Sequence, residues 1–189
     1  MNSRYLHNRL IRVVEKVLEG SKLLTDLYIR FFRKMTVDEF SKVFLPEDAR
    51  VLIIGCGSIP HTAVIVAKEK PWKIVGVDRD KDAVQKARFL VERYGLSDRV
   101  SVMEGNGLTF DLSGYDLVVL AHGVEPKDEI LKRIAVEVDG ETVVLFRTTW
   151  DFLDKVYGDE GVPEDFDVVA VFKRPDFIKS VFMKRRVGL

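Results

Sequence analysis

The strongest constraint on this chain is an alternation of short apolar runs with helical stretches, which begins near Ala49 and continues past residue 150. VLIIG (51–55), KIVGVD (73–78), RVSVME (99–104), YDLVVLA (115–121) and TVVLFRT (142–148) read as strands. Helical spacing covers Pro60 to Lys70, Asp80 to Tyr94 and Pro126 to Val138, and a short helix is predicted over Trp150 to Tyr157. Pro60 suits a first helical turn, Asp80 an N-cap and Gly95 a C-terminal stop. Strands separated by helices pair in parallel, because each crossover returns the chain to the same end of the sheet. The last two runs break that rhythm. DVVAVFKR (167–174) and FIKSVFMKRR (177–186) are separated only by Pro175-Asp176, too short for a crossover, so they predict an antiparallel hairpin. The expected fold is α/β, a Rossmann-like doubly wound sheet of seven strands with a terminal antiparallel β-hairpin.

Residues 1–46 are different in kind and are expected to form a helical arm or cap on a sheet domain of residues 47–189. The first 45 residues contain no proline and one glycine, Gly20. Leu6, Leu10, Val13, Val17 and Leu18 recur at helical spacing, and the period resumes at Leu24, Leu27/Tyr28, Phe31 and Met35. A third short helix is expected over Val37 to Phe44. Nine Lys/Arg against five Asp/Glu give this segment a charge of +4, so the remainder carries −4. Such an arm can act as a lid, as a dimerisation surface, or as a cap that completes the core.

Composition narrows the function. The 189 residues suit one domain with an appendage, and 30 basic residues balance 30 acidic ones. Neutrality disfavours coating of nucleic acid or anionic membrane by bulk charge. Cys56 is the single cysteine, which excludes an internal disulfide or a cysteine zinc cluster and suits a reducing cytoplasmic setting. No run of 18 apolar residues suggests a membrane span, and the first ten residues lack a signal-peptide core. Abundant charge with one Gln and three Asn hints at a thermophilic source. His7, His61 and His122 are scattered without ligand spacing, so no metal site is expected.

The chemistry concentrates at the carboxyl ends of the strands, where open α/β sheets bind ligands. Gly55-Cys56-Gly57-Ser58 follows the first strand directly, and its two glycines allow a tight turn and close approach of a ligand. Asp78, 23 residues beyond Gly55, ends the second strand, close to the ~20-residue spacing of a ribose-binding acid, with Arg79 beside it. The alternative is that Asp78 merely caps the next turn. Pro60 occupies the third position of a GxGxxG pattern, where it supplies no N–H for a pyrophosphate, so a dinucleotide is disfavoured. Together with the terminal hairpin, this layout resembles that of S-adenosylmethionine (SAM) dependent transferases. Asn106, between two glycines after the third strand, can then accept from the adenine amino group or simply serve the turn. Ala121 and His122 end the fourth strand, where the transferred group belongs. His122 is a candidate base or a ring packed over the cofactor. Arg147 can clamp a ligand carboxylate, or pair with Glu125 or Asp151 to hold the sheet edge.

The loop I-G-C-G-S-I-P-H-T-A resembles that of nicotianamine synthases, Gly-x-Gly-Pro-Leu-Pro-Leu-Thr, matching at Gly55, Gly57, Pro60 and Thr62 and departing at Ser58, Ile59 and His61. A second block agrees: Glu125-Pro126-Lys127, Asp139-Gly140-Glu141-Thr142 and Phe146-Arg147-Thr148-Thr149. The resemblance covers roughly residues 50–157. It implies SAM as cofactor and transfer of its 3-amino-3-carboxypropyl arm to an amine, with release of methylthioadenosine. It also implies a Glu and a Tyr ahead of the SAM domain that serve the reaction. Tyr28, in Leu27-Tyr28-Ile29-Arg30, corresponds to the Tyr; Glu15 and Glu19 are acidic residues of the arm without a family motif around them.

The resulting expectation is a SAM-binding transferase acting on a small amine or amino acid. Gly55, Cys56, Gly57, Ser58, Asp78, Arg79, Asn106, Ala121 and His122 would line the cofactor, and His122 and Tyr28 are the candidates for catalysis. The alternatives are a SAM methyltransferase on a small molecule or RNA, and a SAM-binding protein with reduced catalysis. For RNA, the basic residues Arg30, Arg33, Lys34 and Lys184 to Arg186, with Phe31 and Phe32 interleaved, are the candidate patch. A homodimer through the helical arm is a further possibility.

Overall fold

A computed structural model describes residues 21–150 and 161–186. The elements are α1 (Lys22–Phe40), β1 (Arg50–Ile54), α2 (His61–Glu69), β2 (Lys73–Asp78), α3 (Lys81–Arg93), β3 (Val100–Glu104), β4 (Leu117–Leu120), α4 (Lys127–Glu137), β5 (Val143–Thr149), β6 (Phe166–Lys173) and β7 (Ile178–Arg185). The helices predicted before Gly20 and over Trp150 to Tyr157 lie wholly or mostly outside the described residues.

The seven strands form one sheet in the order β3-β2-β1-β4-β5-β7-β6. β1 to β5 pair in parallel, and β7 runs antiparallel to β5 and β6. The order reverses at β1, whose neighbours are β2 and β4, and this reversal opens a crevice at the strand ends.

Side-chain alternation divides the core. Val51 and Ile53 of β1, Val143 and Leu145 of β5 and Phe182 of β7 face α1, α2 and α3. Leu52, Ile54, Val144, Phe146, Val181 and Met183 face α4 on the opposite side. The central strands are buried on both faces, which is why β1 and β4 read as unbroken apolar runs.

The helical arm differs from its sequence reading in two respects. The separate helix expected over Val37 to Phe44 is absent: α1 runs unbroken through Met35 and Thr36 to Phe40 and closes at Ser41, whose N–H bonds the Val37 and Glu39 carbonyls. Neither glycine nor proline interrupts this stretch, so the helix has no reason to stop. Of the apolar period, Leu24, Leu27 and Phe31 also lie on the outer face, where Leu27 and Phe31 are 51% and 67% exposed, whereas Tyr28 and Met35 turn inward. The buried face is Thr25, Ile29, Met35, Thr36, Glu39 and Phe40. It packs on α2 and carries more polar residues than the exposed stripe, for a reason found in the sheet beneath it.

Candidate active site

A cleft of about 630 Å³ runs along the carboxyl ends of the strands, from α3 and β3 across β1 and β4 to the β6–β7 turn. Every cofactor candidate from the sequence lines it: Gly55 to Ser58, Asp78, Arg79, Asn106, Ala121 and His122. Tyr28 lines it from α1.

At the β1–β3 end the backbone makes the site. Gly55 and Gly57 have φ of +81° and +68°, a region side-chain-bearing residues rarely enter. A Cβ on Gly55 would stand 2.2 Å from Val124 Cγ2. The Gly55 and Cys56 N–H groups both donate to the Val77 carbonyl, at 2.8 and 3.1 Å, which ties the loop to β2. Asp78 then closes the turn. Its Oδ2 accepts from the Gly57 N–H at 2.9 Å and its Oδ1 from the Asp80 N–H at 3.0 Å. The turn-capping role weighed for Asp78 is therefore present, in a carboxylate that also faces the cleft. Asn106 likewise serves its turn, its Oδ1 accepting from the Leu108 N–H at 3.0 Å, while lining the cleft. Arg79 reaches the Glu125 carbonyl at 3.4 Å and bridges the ends of β2 and β4. Cys56 is buried at the loop's inner side.

At the β5–β7 end, side chains make the site. Arg147 shares the face of Val143 and Leu145, and so points toward α1 rather than toward Glu125 on the α4 side. Its partner is Glu39: Nε to Oε1 at 2.9 Å and Nη2 to Oε2 at 2.6 Å, with Nη1 donating to Thr62 Oγ1 at 3.0 Å. The pairings expected from sequence, to Glu125 or Asp151, are thus corrected for Glu125, while Asp151 lies outside the described residues. Arg174, at the start of the β6–β7 turn, places Nη1 3.2 Å from Glu39 Oε2. Ser180 of β7 donates to Glu39 Oε1. Glu39 is fully buried and all its acceptor positions are met. Burial pushes its carboxyl up, but the Arg147 and Arg174 charges and the bonds from Arg147 and Ser180 outweigh this and hold it below the usual range. Two buried guanidinium groups thus explain why α1 turns Glu39 inward: without it, Arg147 would lie buried without a countercharge and Arg174 would keep only Asp176.

His61 joins this end. Its ring packs against Phe32 and, edge-on, against Tyr28, at centroid distances of 4.9 and 5.4 Å. Nδ1 lies 3.3 Å from the Ile59 carbonyl, so the neutral ring carries its proton there and keeps Nε2 as an acceptor. Burial and the Arg147 and Arg174 charges lower its pKa to about 3. Arg174 is held further by Asp176, with Nε to Oδ1 at 3.1 Å and Nη2 to Oδ2 at 2.6 Å.

Sequence reasoning missed Glu39, Arg174 and Asp176, and considered His61 only as a metal ligand. The alternation of β5 was the available signal for Arg147, because odd-numbered positions face α1. Of the proposed RNA patch, Arg33 pairs with Glu69, Lys34 with Asp38, Lys184 with Glu141 and Arg186 with Asp167. Phe32 lines the cleft. Among the described residues no helix is long and apolar enough to cross a membrane, and no group of three His, Cys, Asp or Glu side chains could hold a metal ion.

A parallel sheet with an antiparallel seventh strand and a glycine-lined cleft at the β1 switch point defines the SAM-transferase fold. A nicotianamine synthase protein family model matches residues 26–189, and the chain belongs to that family. The L-histidine 2-aminobutanoyltransferase of Yersinia pestis is 25% identical over 123 residues, 65% of this chain and 46% of that protein. An enzyme of the same description from Pseudomonas aeruginosa is 28% identical over 111 residues, 58% of this chain and 42% of that protein. The chain therefore matches less than half the length of these curated relatives. The crystal structure of MtNAS in complex with MTA and tNA superposes with a TM-score of 0.79 at 19% identity, covering 96% of this chain and 72% of that one.

Proposed function

We propose that this protein transfers the aminocarboxypropyl arm of SAM to the amine of a small acceptor such as an amino acid. Family membership supports the class of reaction, and the relatives' action on L-histidine supports the class of acceptor. The observation that carries the reading is the two-ended cleft, with a backbone loop and an acid at one end and an enclosed polar cluster at the other.

The residues fit SAM. Gly55 and Gly57 turn the loop through left-handed backbone at the cleft, and Asp78 faces the same space with lone pairs suited to ribose hydroxyls. Asn106 and Arg79 flank the adenosine end, and Ala121 and His122 the middle. SAM supplies an electrophilic carbon: the amine nitrogen bonds to it, the carbon–sulfur bond breaks, methylthioadenosine leaves, and the new ammonium loses a proton to solvent. Tyr28 and the neutral His61 stand at the far end to orient the amine, while α1 covers that end and excludes water. Within the arm, α1 contributes Tyr28 and Phe32 to the acceptor site. A homodimer through the arm and a cytoplasmic setting are compatible with this reading.

The test is product identification. Incubation with SAM and a pool of amines and amino acids is expected to yield methylthioadenosine. S-adenosylhomocysteine would instead identify a methyltransferase.

A further inference from the structure

We propose that Asp176, on the β6–β7 turn, recognises the amine of the acceptor. The proposal rests on the transferase reading above and adds the residue that binds the second substrate.

Three observations carry it. First, Asp176 lines the cleft at the β5–β7 end, opposite the adenosine loop. Glu39 is sealed away at the same end and its oxygens are occupied, so among the described residues Asp176 is the carboxylate there with access to a ligand. Second, its geometry is set in advance. Arg174 grips both oxygens, and Arg174 is itself buried, bonded to Glu39 and stacked over the Phe32 ring at 5.9 Å. The Ile178 N–H donates to Oδ1 at 3.4 Å. A carboxylate offers about four acceptor sites, and these bonds use two on Oδ1 and one on Oδ2, which leaves capacity on Oδ2 for an N–H donor. Third, the turn is strained. Phe177 has a φ of +64°, a conformation costly for a bulky side chain. Strain of this kind persists only where surrounding structure enforces it. Trp150 enforces it here: its backbone N–H donates to the Phe177 carbonyl at 3.0 Å, its indole N–H to the Ile178 carbonyl at 3.1 Å, and its ring packs on Phe177 at 5.4 Å. Glycine at this position would relieve the strain. The chain instead clamps the turn, and the clamp holds Asp176 at the cleft.

The neighbouring charges select the ligand class. Glu39 and Asp176 balance Arg147 and Arg174, and His61 is neutral, so these side chains together carry no net charge. An acceptor amine donates to Asp176, while a flat or apolar substituent finds Tyr28, Phe32 and His61. A primary amine on a compact, partly planar amino acid satisfies both.

Calorimetry tests this without turnover. L-Histidine is titrated into the 189-residue chain saturated with methylthioadenosine, alongside imidazolepropionate, which is L-histidine without its amine. Asp176→Asn is expected to weaken L-histidine by about tenfold or more, to leave SAM affinity within about twofold, and to leave imidazolepropionate unchanged. Asp176→Glu, which restores the charge, is expected to recover part of the loss. Equal weakening of both ligands would mean that Asp176 only supports the fold, and would overturn the proposal. So would unchanged L-histidine binding in Asp176→Asn, or wild-type protein that binds neither L-histidine, ethylenediamine nor L-glutamate. Failure of the transferase reading would show separately, as S-adenosylhomocysteine in the product assay with the calorimetric difference intact.

Discussion

The two ends of the cleft are built by different means. The β1–β3 end is made of backbone: two glycines at positive φ, a loop tied to the Val77 carbonyl, and one carboxylate that closes the turn. The β5–β7 end is made of buried side-chain charge, in which Glu39 joins Arg147, Arg174 and Ser180 across 108, 135 and 141 residues of sequence. A backbone site tolerates change in most side chains but not in its glycines. A charge network tolerates backbone variation but not the loss of one member. The contrast predicts where substitutions act on stability and where they act on ligand.

The largest effect is expected at Glu39. Glu39→Ala leaves Arg147 buried without a countercharge and Arg174 with Asp176 alone, a change that costs about 3–5 kcal/mol in such settings. Urea unfolding should show it as a lowered midpoint with little change in slope. A loss below about 1 kcal/mol, the scale of an exposed ion pair, would mean that the network is far more solvated than the structure has it.

Gly55→Ala follows. Left-handed backbone costs a residue with a Cβ roughly 1–2 kcal/mol, and the contact at 2.2 Å from Val124 requires the loop to shift. The loss should appear in SAM affinity as well as in stability, which separates this variant from Glu39→Ala. Asp78→Ala should act mainly on ligand. Losing a hydrogen bond to a charged group costs about 1.5–3 kcal/mol, or about tenfold or more in SAM Kd. Unchanged SAM binding would remove Asp78 from the site.

The smallest effect is that of mild acidification. His61 is held at about 3 in the folded chain against an ordinary value of 6.5. Below 6.5 the unfolded chain takes up a proton that the folded chain refuses, so stability falls as the pH drops from there toward 3. Glu39, with its pKa lowered on folding, acts in the same direction at lower pH: its contribution is present above the unfolded value and is lost as pH falls through the folded one. Thermal melts between pH 7 and about 5.5 should give a steeper decline of Tm for the wild type than for His61→Leu, by a few degrees, because one pH unit below the unfolded value removes about 1.4 kcal/mol and each 1 kcal/mol moves Tm by roughly 2–4 °C in a chain of this size. Parallel curves would indicate that His61 protonates freely.

The same contrast explains what the sequence revealed. The glycine loop, Asp78 and the Asp80 cap are contiguous or follow a fixed spacing, because backbone turns have local signatures. Strand limits came within a few residues for the same reason, and the hairpin followed from the shortness of Pro175-Asp176. The charge network has no local signature. Glu39 resembles any other acid of a surface helix until Arg147 is placed beneath it. The apolar period of α1 foretells the inward Tyr28 and Met35 but not the outward Leu24, Leu27 and Phe31, because the sheet face beneath the helix takes up a carboxylate. Arg147 could have been directed correctly by strand alternation alone, since Val143 and Leu145 share its side. Asp176 looked like an ordinary turn residue, and only the fold brings it to the cleft.

The central claim is that the cleft presents the aminocarboxypropyl arm, rather than the methyl group, to an amine. SAM carrying ¹³C in that arm, incubated with this protein and L-histidine, tests the claim most directly by mass spectrometry of the products. The account predicts the label on the amine product, with unlabelled methylthioadenosine released in equal amount. Label retained on S-adenosylhomocysteine, with a methylated acceptor, would contradict it.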